Sequence, residues 1–184
     1  MSVVLERPAL LTGEELLELG DIGPTELIEG EVVSMSPTQN LHGWIVMELA
    51  RRLGNFNAER RLGWVLGAES GVFTRRNPDT VRGMDIAFIS RQRLAVLTPG
   101  FLETAPELVV EIVSPSDRWE GIRQKIAEYF TAGVERVWIV EPGPRKVLVF
   151  RAVTEFSELG EGGVLHGEGV LNGFELPLAE LFAE

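Results

Sequence analysis

The chain has 184 residues, of which 45% are apolar and 24% charged, with a net charge of −11 and no cysteine. That length suits one domain with a well-buried core, and no apolar run approaches the roughly 20 residues of a membrane span. The lack of cysteine excludes disulfides and thiolate zinc sites, and the acidic balance argues against broad, non-specific nucleic-acid binding, which needs clustered Lys and Arg.

The opening residues lack a basic start and carry acids early, so they do not read as a signal peptide, and the cytoplasm is the default compartment. Thr12 followed by Glu15 is a capping box and predicts a short helix to about Leu19. Residues 25–35 read as a β-hairpin turning at Glu29-Gly30. Leu41, Ile45, Leu49 and Leu53 recur every fourth position, which predicts a helix over 38–54 with one core face and Gly54 able to end it. Strands are expected at 63–74 and 84–90, with the turn residues Asn77 to Thr80 between them.

Leu108 to Val113 is a nearly continuous apolar strand, typical of a central position buried on both faces. Asp117 with Glu120 predicts the cap of the following helix, and Gly133 its end. Residues 134–142 form the next strand. A strand, a long helix and a strand make a βαβ unit, so these two strands should run parallel. Pro142-Gly143-Pro144 turns the chain into an antiparallel return over 146–152, and residues 170–182 supply a strand piece and a short helix that closes the core. No repeat, low-complexity tract or linker divides the chain, so residues 1–184 read as a single α/β domain.

The residues that carry chemistry lie in the middle of the chain. Lys is used twice and Tyr once, and Lys125 and Tyr129 stand four residues apart on the helix that follows the apolar strand. That spacing puts them on one face about 6 Å apart. Glu111 interrupts the run Leu108 to Val113 and shares a face with Val109 and Val113. A carboxylate in such company is costly unless it is paired or bound to a metal. Asp85 opens another apolar run, and two acids meeting at a sheet mouth suit Mg²⁺ or Mn²⁺, which prefer oxygen ligands. Lys125 could then hold an attacking water or offset charge in a phosphoryl-transfer transition state. Each residue taken alone has an ordinary explanation: an Arg-paired Glu111, a turn residue Asp85, a snorkelling Lys125, a packing Tyr129. The pairs Arg51-Arg52, Arg60-Arg61 and Arg75-Arg76 are either local cationic clusters or solvated surface.

The blocks 83–89 (GMDIAFI), 106–116 (PELVVEIVSPS), Lys125 with Tyr129, and 132–142 (AGVERVWIVEP) resemble the PD-(D/E)XK restriction-endonuclease-like superfamily. The hairpin at 25–33, the helix of His42 and the closing residues 172–182 extend the likeness to the Uma-two branch and to nearly the whole chain. The resemblance implies a central mixed β-sheet flanked by helices, with an N-terminal β-hairpin extension. It implies Asp85 and Glu111 as metal ligands, the carbonyl of Ile112 as a third, and catalysis by Asp85, Glu111 and Lys125. The usual lysine position two residues after the glutamate is Val113, so Lys125 would reach the site from the helix instead. An acid of the hairpin maps to Glu26, a further possible ligand, with Glu48 as its rival. His42 and Tyr129 are implied as supporting residues. Two departures are Met84 where a proline normally precedes the aspartate, and Gly121 where an acid often precedes the helix lysine.

These readings give a Mg²⁺- or Mn²⁺-dependent nuclease acting on nucleic acid, DNA favoured, with a homodimer expected by analogy of fold. The rival is a nuclease fold kept as a catalytically inert binding or regulatory module. A third reading is hydrolysis of some other phosphoester at the same site.

Overall fold

The computed structural model describes residues 10–183; the absence of a leader pattern in residues 1–9 lies outside them. The frame is an eight-stranded sheet of β1 (Thr25–Ile28), β2 (Glu31–Ser34), β3 (Gly63–Arg75), β4 (Thr80–Ser90), β5 (Leu108–Ile112), β6 (Arg136–Glu141), β7 (Lys146–Ala152) and β8 (Glu155–Gly160). All pairings are antiparallel except β5 with β6, where the expected helical crossover makes the strands parallel. A short ribbon of β9 (Val164–His166) and β10 (Glu175–Pro177) lies outside this sheet.

One local feature of the sheet positions everything that follows. β3 pairs with β4 along most of its length and occupies one edge of it. β1 pairs with β4 at Val81, and β5 pairs with it from Ile86 to Phe88. A strand has two edges, so β1 and β5 share the second one and part company between Arg82 and Asp85.

Helices cover both faces. α1 (Gly13–Glu18) starts on the predicted capping box: the Thr12 hydroxyl accepts from Glu15 N, and the Glu15 carboxylate accepts from Thr12 N. α2 (Asn40–Arg60) lays Ile45, Leu49 and Leu53 on one face of the sheet. There they meet Ile86, Phe88, Leu108, Val110 and Trp138, together with the C-terminal Phe174, Leu176 and α4 (Leu178–Leu181). α3 (Trp119–Ala132) lays Ile122, Ile126 and Tyr129 on the other face, against Val109, Val137 and Ile139. The alternation along β5 therefore sends even positions to α2 and odd ones, Glu111 among them, to the side of α3.

Several boundaries differ from the sequence reading. α2 continues through Gly54 to Arg60 because the next turn is held by packing: Phe56 meets Phe174 edge-on at 5.6 Å. That contact outweighs the cost of an interior glycine, about 1 kcal/mol. The helix ends instead at Arg61, in the left-handed region at φ 52°. β4 begins at Thr80, four residues earlier than expected, because its partner β3 is long enough to pair with it there. Asp117 does not cap α3. Its Oδ2 accepts from Ser114 N at 2.7 Å, and Arg118 stands at the cap without a side-chain bond. Gly133 does end α3, at φ 103°. The strand piece and short helix expected over 170–182 are β10 and α4, whereas β8 and β9 carry little apolar alternation and went unpredicted.

The α2 face is a strong test of this arrangement. Leu49→Ala empties a fully buried position and should cost about 2–5 kcal/mol, read as a lower urea midpoint at unchanged m. A midpoint within error of the parent would contradict the packing of α2 on the sheet.

Candidate active site

Where β1 and β5 diverge, backbone donors lose their ladder partners, and acidic side chains take them up. The Glu26 Oε1 accepts from Gly83 N at 3.2 Å, and the Asp85 Oδ2 accepts from Ile112 N at 2.7 Å. Each carboxylate thus replaces a missing strand carbonyl and is fixed in place by doing so. Glu26 is also the buried anchor of Arg82, whose Nη1 donates to its Oε2 at 2.7 Å. The other side of that guanidinium grips Glu128 of α3 in a two-pronged pair at 2.6 and 2.9 Å. Removing one partner from such a buried pair costs roughly 3–5 kcal/mol. The pair therefore holds the hairpin, β4 and α3 in one register.

α3 brings Lys125 and Tyr129 to Glu111. Tyr129 Oη donates to Glu111 Oε1 at 2.5 Å, and Lys125 Nζ lies 3.1 Å from Glu111 Oε2. The same ammonium is 2.9 Å from Glu26 Oε1, so Lys125 bridges the acid of the hairpin to the acid of β5. Burial opposes its charge, but Glu111 and Glu26 override that and raise its pKa. Lys125 is accordingly a fixed cation and no proton acceptor at neutral pH. Burial raises the Glu111 carboxyl to about 7, assisted by the nearby Asp85 and resisted by Lys125 and Tyr129. Burial, then the Glu111 charge, pushes the Tyr129 phenol well above its usual range, so it stays a donor. The sequence gives Tyr129 a packing role. The structure adds a direct bond to the acid.

His42, in the first turn of α2, places Nε2 3.2 Å from Asp85 Oδ2. That hydrogen bond is the main reason its pKa is raised, against the cost of burial. Its Nδ1 is buried without a hydrogen-bond partner among the described residues. Glu48 lies elsewhere. Both its oxygens are spent on Arg51 and Arg52, which hold it down to a pKa of about 2, and Arg52 reaches on to Glu180. Of the two candidates for an extra acid at the site, Glu26 is the one beside Lys125.

Two acids at the site escaped the sequence reading, Glu128 of α3 and Glu69 of β3. β3 shifts register against β4 between Gly67 and Ser70, and the two bulged residues, Ala68 and Glu69, both have positive φ, 56° and 58°. Non-glycine residues adopt that conformation at a cost of order 1–3 kcal/mol each. The bulge lays the Glu69 carboxylate over Gly83, so closely that a Cβ on Gly83 would stand 2.8 Å from Oε2. Although the residue as a whole is exposed, partial burial of the carboxyl, then the charges of Asp85 and Glu26, raise its pKa. The signal was present in Gly67-Ala-Glu-Ser-Gly71, since glycines inside a strand pattern mark bulges.

Five acids therefore gather here, Glu26, Glu69, Asp85, Glu111 and Glu128, against the fixed cations Arg82 and Lys125 and the titratable His42. The excess is negative and the donors are hard oxygens, which fits Mg²⁺ or Mn²⁺ by charge and by chemistry. As the side chains stand, no three His, Asp or Glu among the described residues are grouped to hold a metal ion. Their oxygens are turned toward Lys125, Tyr129, Arg82, His42 and the backbone, and a cation would compete for them. Two of the three arginine pairs are turned to acids: Arg51 and Arg52 face Glu48, Arg75 faces Glu29, and Arg76 binds Glu14, Asp79 and Glu103, while Arg60 lies 3.5 Å from its neighbour Glu59. Among the described residues no helix is long and apolar enough to cross a membrane.

Residues 14–179 match the Uma2 family model, described as "Putative restriction endonuclease". Among solved structures, the crystal structure at 1.96 Å of a putative nuclease belonging to DUF820 from Anabaena variabilis ATCC 29413 superposes with a TM-score of 0.79. It is 21% identical, and the alignment covers 94% of this chain and 97% of that one. No curated protein matches. The likeness in structure is one of fold, and it agrees with the mixed sheet flanked by helices that the sequence led us to expect.

The raised pKa of Glu111 has a definite sign. The folded state holds this proton more tightly than the unfolded chain, so the stability it brings is full below about 4.5 and is lost as pH rises through about 7. Without added divalent cation, the thermal midpoint should fall between about pH 5 and about pH 8, and Glu111→Gln should flatten the slope. An identical slope in that variant would remove Glu111 as its source.

Proposed function

The chain belongs to the Uma2 family of putative restriction endonucleases, and on that premise we propose that it is a divalent-cation-dependent nuclease that hydrolyses phosphodiester bonds of nucleic acid, DNA favoured. The observation that carries this reading is the meeting of Lys125 with Glu111 and Glu26, next to Asp85, at the split edge of β4.

Mg²⁺ or Mn²⁺ would be held by Asp85, Glu111 and the carbonyl of Ile112, with Glu26 or Glu69 at the margin. When bound it would supply a Lewis acid for the phosphoryl group and lower the pKa of a coordinated water. The residues themselves divide the remaining work. Lys125, permanently charged, donates to the phosphoryl oxygens as negative charge grows on them in the transition state. Tyr129 holds the Glu111 carboxylate to one orientation. His42 and Ile112 N fix Asp85 from two directions. A homodimer would present two such sites, and the cysteine-free composition suits a reducing cytoplasm.

Two measurements test the reading. Titration with Mn²⁺ by calorimetry should show binding that Asp85→Ala abolishes, that Glu69→Gln weakens and that Glu48→Gln leaves intact. Lys125→Ala should retain the cation yet slow cleavage of plasmid or oligonucleotide by roughly 100- to 1,000-fold. Absence of cation binding would leave the rival, an inert nuclease fold that binds without cutting. Cleavage indifferent to Lys125→Ala would strip that lysine of its role.

A further inference from the structure

A cavity of about 280 Å³ opens beside the acids, between the hairpin and the start of α3. Glu111, Ile112 and Lys125 form its inner wall, so it is continuous with the place where a phosphodiester would be held. Its flanks are apolar, with Ile28 and Met35 from the hairpin side and Ile122 from α3. Gly121 also lines it, and an added Cβ there would meet nothing within 4 Å. The volume falls just short of the roughly 300–1,000 Å³ of drug-sized ligand sites, which suits one flat ring system.

We infer that this cavity takes one unstacked nucleobase, from the nucleotide whose phosphate sits at Glu111 and Lys125, so that the enzyme acts on single-stranded or frayed nucleic acid in preference to intact duplex. The inference rests on the nuclease reading and narrows its substrate. Two observations carry it. In a duplex the bases are stacked and their faces are covered, so an apolar recess one step from the phosphate is of use only to a base that has left the stack. A duplex is also gripped by an array of Lys and Arg along its phosphates. Here Arg51, Arg52, Arg75 and Arg76 are paired with acids of the same chain, and the net charge is −11. What the site offers is apolar contact for a base, with the cations Lys125, Arg82 and Arg118 on the cavity wall beside it, the means by which single strands are commonly held.

The test uses the full chain and a single-stranded hexanucleotide carrying 2-aminopurine, compared with the same hexamer in a duplex, with Ca²⁺ present and fluorescence as the readout. The single strand should bind at least tenfold more tightly than the duplex. Gly121→Leu should lose that affinity by tenfold or more, and Gly121→Ala by less, in proportion to the space each side chain fills. Both variants should melt higher than the parent, because either residue is a better helix former than glycine. Duplex binding as tight as single-strand binding, no binding of either, or affinity untouched by Gly121→Leu would overturn the inference. The two readings fail separately. Metal-dependent cutting that ignores Gly121→Leu keeps the nuclease and removes the base pocket. Gly121-sensitive binding of single strand, with no cutting in Mg²⁺ or Mn²⁺, keeps the pocket and removes the nuclease.

Discussion

Two strands share one edge of β4, and the site exists because they do. Had β1 or β5 run the full length of that edge, the donors of Gly83 and Ile112 would have met strand carbonyls. The split leaves them open, and buried N–H groups must be satisfied. Glu26 and Asp85 satisfy them. The same bonds that repair the sheet therefore pin two carboxylates a few ångströms from Glu111, on a rigid frame and not on loops. Rigidity of this kind is what a site for charge stabilisation needs, since its dipoles and charges must be in place before the reaction.

Gathering acids in that gap is expensive, and the structure shows how the cost is met. Arg82 ties Glu26 to Glu128, and Lys125 ties Glu26 to Glu111. Both cations reach across from one element to another, so they neutralise charge and dock α3 to the sheet at once. The compensation is incomplete: the carboxyls of Glu111 and Glu69 remain raised above their usual range. A protein built for stability alone would place an apolar residue at Glu111, between Val109 and Val113. The residual negative potential is what leads us to propose a hard divalent cation there.

The hairpin has two duties. Its first strand contributes Glu26 to the acids, and its second leads to Met35, which flanks the cavity that we assign to a nucleobase. The hairpin thereby joins the gathered acids to the cavity through one short extension of the sheet. The bulge in β3 makes a similar connection from the opposite edge, carrying Glu69 over Gly83. Both devices leave the core of the sheet untouched.

Much of this was legible in the chain. The capping box at Thr12, the hairpin turn at Glu29-Gly30, the parallel pair on either side of α3 and the shared face of Lys125 and Tyr129 all follow from local rules of spacing and turn chemistry. Local rules act within a few residues, so the sequence alone determines them. It also singles out Glu111, because an acid inside an apolar strand is costly wherever that strand lies. Other features depend on elements far apart in the chain. α2 runs past Gly54 because Phe56 finds Phe174, more than a hundred residues away. Glu26 rather than Glu48 joins the site because Arg82 and Gly83 face it, while Arg51 and Arg52 claim the rival. Glu69 enters only because β3 bulges against β4. Sequence spacing determined which side chains could act. The meeting of distant strands decided which of them come together, because a charge buried in a gap is stabilised by whatever partner the fold brings within about 3 Å.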